Sequence, residues 1–234
     1  MIVSINQPAY LPWLGYFHRI AISDVHVILD HVQFEKNSFT NRNKIRTKEG
    51  STMLTIPLKT KGMFGSIAIN TIEIADDIWS SKHFKAIQGS YSKAKYFKHY
   101  EPVLNEIFAK KYNRLIELII PMNEWLMKEL NITTKMVRSS ELNVEGTKSD
   151  LVLNICKELN ASVYLSGSLG RDYLDMDSFK NCEIDVTFHD YIHPQYSQVY
   201  PGFEPNMTIL DLLLNHGPES INYLNQGNEK FIRK

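Results

Sequence analysis

Residues 2–30 constrain the fold more than any other part of this chain. Ile2-Val3-Ser4-Ile5 reads as a short strand and stops at Asn6-Gln7-Pro8. Residues 14–23 place Leu14, Phe17 and Ile20 or Ala21 on one face of a short helix. Val25-His26-Val27-Ile28-Leu29-Asp30 is a second strand-like run. Strand, helix and strand in so short a span make a β-α-β unit, and such units build parallel sheets.

The remainder alternates in type. Residues 31–50 are polar and irregular, and "STMLTIPLKT" and "IAINTIEI" then each alternate around Lys61-Gly62-Met63-Phe64-Gly65. That pattern predicts an antiparallel pair joined by a glycine-bearing loop. From Trp79 to about Leu130 the spacing is helical, with breaks expected at Pro102 and Pro121. Val103, Leu104, Ile107 and Phe108 share one face, and Leu115, Ile116 and Ile119 the next, as core stripes. Strands are expected at 133–139, 162–166 and in "CEIDVTFHDY", with helices at 149–159 and 209–215. The expected fold class is α/β: a mainly parallel central sheet flanked by helices, with a small antiparallel β insertion and a helical middle region. No repeat or linker-like stretch divides residues 1–234, which are read as one domain with an insertion lobe at about 51–130.

Composition narrows the partners. The 26 basic and 26 acidic residues balance, so no global field favours nucleic acid. The charge is uneven, however: residues 35–61 hold seven Lys/Arg against Glu35 and Glu49, while 140–219 hold thirteen acids against four bases. Such a split suits an anionic substrate or pairing within the fold. Cys156 and Cys182 form neither a disulfide framework nor a zinc spacing, and Cys156 lies in an apolar helical pattern. Without a signal-peptide pattern or a bilayer-length apolar run, the expected location is the cytoplasm.

In open α/β sheets ligands gather beyond the carboxyl ends of the strands. The first exit offers Asn6, Gln7, Tyr10 and Trp13; the second offers Asp30, His31 and Gln33, followed by Asn41-Arg42-Asn43-Lys44. The third is "GSLGRDYLD", with Gly167, Arg171 and Tyr173; the fourth, "YIHPQYSQVYPGF", carries His193, Tyr196 and Gln198. Gly167 and Gly170 either let backbone N–H groups approach an anion beside Arg171 or simply turn the chain. In "NRNK" the guanidinium offers a planar fork and Lys44 a point charge, suiting phosphate or carboxylate. The histidines match no compact metal spacing and no nucleophile elbow is present, so neither a metal nor a covalent intermediate is expected. His18, Asp30 and His193 are the candidate catalytic bases.

Gln7-Pro8-x-Tyr10-x-Pro12-Trp13-x-Gly15-Tyr16-Phe17, Asp30-x-Val32-Gln33-Phe34, Asn41-Arg42-Asn43, "YLSGSLGRDYLD", Tyr196-x-Gln198 and "ILDLLLNHGPES" span nearly the whole chain. Together they resemble the WbqC-like proteins of bacterial surface-polysaccharide gene clusters. The resemblance implies work on nucleotide-activated sugars or O-antigen units of lipopolysaccharide. The implied activity is an amino-sugar N-acyl or aminoacyl transferase or ligase. Its implied co-substrate is an activated acyl donor (acyl-CoA or carrier-bound acyl) or ATP with Mg²⁺. The implied partners are a nucleotide-linked amino sugar and an acyl carrier, and the aromatic N-terminal patch also suits a homodimer seam. The alternatives are a non-catalytic sugar-nucleotide-binding accessory protein and a nucleotidylyltransferase-like enzyme. For the last, the opening strand, loop and strand are similar to nucleotidylyltransferase folds, although no H-x-G-H pair is present.

Overall fold

The computed structural model describes residues 1–62 and 67–231. Strands β1 (Ile2–Asn6) and β2 (Val25–Ile28) pair in parallel around helix α1 (Leu14–Ala21), as the opening unit requires. Strands β3 (Arg42–Thr47) and β4 (Gly50–Thr55) form a separate antiparallel hairpin. Strands β5 (Lys135–Arg138), β6 (Val163–Gly167) and β7 (Asp185–His189) complete the main sheet, in the order β5-β2-β1-β6-β7 with every pair parallel. The chain thus winds outward from β1 to β5 and returns to β6 on the other side. The reversal between β1 and β6 is the topological switch point at which such sheets open a crevice.

Strand alternation divides the sheet into two faces. Val3, Ile5, Val25, Val27 and Tyr164 pack with Leu151, Val152, Ile155 and Cys156 of α5 (Lys148–Glu158) and Phe179 of α6 (Met176–Asn181). The opposite face lies under α1 and is polar near its middle. There Ser23 Oγ donates to Ser4 Oγ at 2.8 Å, and Ser4 Oγ bonds His26 Nδ1 at 2.7 Å. Helix α1 buries Leu14, Phe17 and Ile20 completely. A Cβ on Gly15 would lie 2.3 Å from the Trp13 ring, so only glycine lets that ring cross the start of the helix.

A second hydrophobic cluster runs from α1 and the hairpin through α2 (Ile78–Tyr91), α3 (Phe97–Ala109), α4 (Leu115–Glu129), α7 (Ile209–His216) and α8 (Ser220–Asn225). Leu212, Leu213 and Leu214 are all fully buried within it, each worth about 1.5–3 kcal/mol of transfer free energy. Cys156 is buried as well, where burial pushes its thiol up to about 12.

Two sequence expectations are corrected. The hairpin partner of β4 is β3; the predicted antiparallel pairing of residues 51–60 with 67–74 is kept only beyond β4, at the bridge Leu58↔Ile74. The polar run at 42–47 hides its strand character because Asn43 and Arg46 are buried, Asn43 Nδ2 donating to the Leu11 carbonyl and the Arg46 Nη atoms to the Thr47, Gly50 and Pro201 carbonyls. Of the predicted connecting loop, Met63, Phe64 and Gly65 lie outside the described residues. Pro102 and Pro121 sit inside α3 and α4 and do not end them. Each removes one backbone hydrogen bond, but the buried stripes Tyr100, Leu104, Phe108 and Leu118, Met122, Leu126 continue across them. No described helix is long and apolar enough to cross a membrane.

Candidate functional site

The last residues of the strands form one row across the carboxyl edge of the sheet. Arg138 pairs with Ile28, Ile28 with Asn6, and Gly167 with His189. The β1–β6 register, Ser4↔Leu165, carries on to bring Asn6 beside Gly167. Alternation from Ser4 then places Asn6, Gly167 and His189 on the face covered by α1. Two consecutive α1 residues, His18 and Arg19, come down onto this part of the row.

His18 Nδ1 and His189 Nε2 share a hydrogen bond of 2.8 Å, and both rings are nearly inaccessible. Burial holds His18 at about 4. Burial, reinforced by His18 and the Arg19 charge, holds His189 at about 3. Both imidazoles are therefore neutral at pH 7, and His18 Nε2 has no hydrogen-bond partner among the described residues. Tyr191 and Phe231 close over the pair, with the Phe231 ring centroid 5.2 Å from His189 and 6.3 Å from His18.

Arg19 reaches past them to β6, where a Cβ on Gly167 would lie 2.3 Å from its Nη1. Gly167 is thus glycine to admit a guanidinium. Gly170 makes room for the Ser166 hydroxyl, which a Cβ there would meet at 2.0 Å. The glycines of "SGSLG" answer to these close approaches. Arg171 leans over the Phe188 ring at 4.3 Å and forks onto Asp190 with two 2.8 Å bonds, so its donors are already engaged at the surface.

Across the row, Asp30 ends differently. Its fully buried carboxylate accepts from Arg138 Nε at 2.8 Å, Ser139 Oγ at 3.1 Å, Ser140 N at 2.9 Å and Ser140 Oγ at 2.9 Å. Burial pushes this carboxyl up, but the Arg138 and Ser140 bonds together outweigh it and hold it below the usual range. An acid so saturated is a strap between β2 and β5 and a poor proton acceptor.

Several other predicted residues are also held inward. Tyr10 is fully buried, its hydroxyl on His83 Nδ1 at 2.9 Å and its ring edge-on to Trp79, leaving no face for a ligand. Asn43 Nδ2 donates to Leu11 O at 2.6 Å, and Asn41 Nδ2 to Ile56 O at 2.8 Å. Arg42 donates to the Asn37 side chain and carbonyl, and Lys44 is partly exposed on β3, remote in sequence and sheet from the row. Tyr196 Oη and Gln198 Nε2 both donate to Asp211 Oδ2 at 2.9 Å, in a cluster where Arg46 also binds the Pro201 carbonyl. His193 uses both ring nitrogens, Nδ1 on the Pro194 carbonyl at 2.9 Å and Nε2 accepting from Asn206 N–H at 3.2 Å. Gln33 is exposed and bridges Ala68 through its backbone.

Of the predicted set, the structure gathers Gln7, Trp13, His18, Gly167, Arg171 and Tyr173 around the β1–β6–β7 exits. Trp13 is partly exposed against Tyr191, and Tyr173 is exposed beside Arg19. Two members of this end, Arg19 and His189, carried no sequence motif. Their signal is positional, as the last residue of a strand and the neighbour of a candidate base.

A model of the WbqC-like protein family matches residues 7–223. The chain belongs to this family. This WbqC-like chain is also 34% identical over 227 residues to the uncharacterized protein Rv1507c of Mycobacterium tuberculosis, covering 95% of this chain and 96% of that one. No solved structure matches it significantly. The family match takes in the opening loop from Gln7, the row except Asn6, and the Asp211 cluster. Among the described residues of the WbqC-like chain, no group of three or more His, Cys, Asp or Glu is placed to hold a metal ion.

Proposed function

We propose that this protein is a transferase or ligase that attaches an acyl or aminoacyl group to the amine of a nucleotide-activated amino sugar, acting in the cytoplasm on surface-polysaccharide precursors. The observation that carries the reading is the neutral, directly bonded His18–His189 pair at the carboxyl end of the sheet. With the proton of His18 on Nδ1 and donated to His189 Nε2, the free Nε2 lone pair is the proton acceptor. The sugar amine forms the new C–N bond to the acyl carbon. The bond from that carbon to sulfur (a thioester) or to phosphate oxygen (an ATP-activated acid) breaks, and its electron pair leaves on that atom. The proton shed by nitrogen passes to His18 Nε2, and the resulting imidazolium keeps its hydrogen bond to His189. Positioned proton transfer of this kind contributes about 10²–10⁴-fold. Admission of the amine requires the Glu229–Phe231 turn to move off the rings.

The saturation of Asp30 and His193 supports a second reading, an accessory module that binds the sugar nucleotide without chemistry. One experiment separates them: purified protein incubated with amino-sugar nucleotides and acyl thioesters, with and without ATP and Mg²⁺, read by mass spectrometry. The expected result is an N-acylated sugar nucleotide, reduced about 10²-fold or more in His18→Gln. Ligand-dependent thermal stabilisation with no product from any donor would replace transfer by binding. Pyrophosphate release would point to nucleotidyl transfer.

A further inference from the structure

We infer that Arg19 is the anchor of an oxyanion subsite at the switch point, built to take a phosphate group. The geometry begins with the guanidinium pressed against Gly167, where no side chain larger than hydrogen would leave it room. No side-chain hydrogen bond and no ion pair engages this guanidinium among the described residues, and its Nε is buried without a partner. The groups near enough to feel its charge are His26, His189, Tyr16, Tyr164 and Tyr173, none of them a carboxylate. Asp190, the acid next along β7, is taken by Arg171.

Arg19 is half-buried, and a cation partly withdrawn from water without a counter-charge is destabilising, so a site that keeps one gains from an anion that supplies it. Arg presents a rigid planar fork, matched to two oxygens of a phosphate. The row adds a second donor. Among the described residues Asn6 Oδ1 is buried without a partner on the same face, and turning that amide over puts an N–H₂ group there. The placement at the crevice between β1 and β6 is where doubly wound sheets receive ligands. As the seat of a nucleotide sugar's diphosphate the subsite rests on the function proposed above; as an oxyanion site it needs no reaction.

Calorimetry and thermal unfolding of the intact protein with inorganic phosphate, inorganic pyrophosphate and ADP test it. The expected result is a Tm rise on the order of 5–10 °C at a hundredfold excess over Kd for pyrophosphate or ADP. Tighter binding of ADP than of pyrophosphate would assign the phosphate to a nucleotide; equal binding would assign it to a free phosphate. Arg19→Met is expected to weaken pyrophosphate about thirtyfold or more, with the unliganded Tm equal or higher, since the apolar isostere removes an uncompensated charge. Wild-type affinity in Arg19→Met, or no stabilisation of the wild type by millimolar pyrophosphate or ADP, would overturn the subsite. Should Arg19→Met fail to fold, the wild-type arginine Nε–H spectrum decides: the resonance missing from Arg19→Lys must move when pyrophosphate is added, and a fixed resonance refutes the proposal. Phosphate binding without acyl transfer would keep this inference and remove the transferase reading.

Discussion

The two ends of the row carry the same cation in opposite circumstances. On the β2–β5 side, Arg138 meets the buried Asp30 carboxylate through Nε at 2.8 Å and Nη2 at 2.7 Å, with Ser139 and Ser140 filling the remaining positions. On the β1–β6–β7 side, Arg19 meets glycine, tyrosines and two neutral imidazoles. One arginine completes a network that closes the edge of the sheet. The other has no side-chain hydrogen bond and no ion pair among the described residues, and its Nε is buried without a partner there. Saturation marks structure, and unsatisfied polarity at a switch point marks function.

Substituting each arginine by methionine breaks the comparison where the effect is largest. Arg138→Met strands a buried carboxylate and is expected to cost about 3–5 kcal/mol of unfolding free energy, measured by urea denaturation near pH 7. The same change at Arg19 is expected to be neutral or stabilising, as argued above. Equal losses at both positions would show that Arg19 belongs to a closed network too, and the contrast would collapse.

Acid separates the two ends as well. The neutral imidazoles titrate near 6.5 when unfolded, whereas burial holds His18 and His83 at about 4 and His26 and His189 at about 3. Below pH 6.5 the unfolded chain binds more protons, so stability is full above that value and falls as pH drops toward 4. Each such histidine contributes a slope of about 1.4 kcal/mol per pH unit in that window. Asp30 acts lower: its depressed folded value stabilises above the unfolded value of about 3.9 and is lost as pH falls through the folded one. Urea titrations at stepped pH should therefore show a decline from 6.5 to 4, made about half as steep by His18→Gln with His189→Gln because His26 and His83 remain, followed by a separate acid phase. A pH-independent stability between 7 and 5 would contradict neutral burial of the pair.

How much of this was legible in the sequence follows the same division. The β-α-β opening, the later strands and helices and the α/β class are written in local periodicity, and α1 buries Leu14, Phe17 and Ile20 as that spacing requires. The hairpin partner was not legible, because β3 is a polar run in which Asn43 and Arg46 are buried against acceptors distant in sequence, the Leu11 and Pro201 carbonyls. Site residues divide by strand register. His18 was visible from its place after the first loop, but His189 becomes its partner only through the β6–β7 pairing. Tyr10 and Tyr196 look alike in composition to a ligand-stacking ring, and only the His83 and Asp211 acceptors reveal them as core.

A third arginine supplies the smallest and sharpest test. Arg171, in the glycine-rich exit of β6, is one of the residues, with Arg42 and Lys44, that the sequence selects to hold an anion. Its fork is occupied by Asp190 in an exposed pair, and exposed pairs add little to stability. Arg171→Ala is therefore expected to leave the Tm essentially unchanged and to move pyrophosphate affinity by less than about threefold, a long-range loss of positive field that added salt erases. A tenfold loss that persists in salt would mean that Asp190 releases Arg171 when the anion arrives. The anchor would then be the exposed fork and not the guanidinium that α1 presses against Gly167.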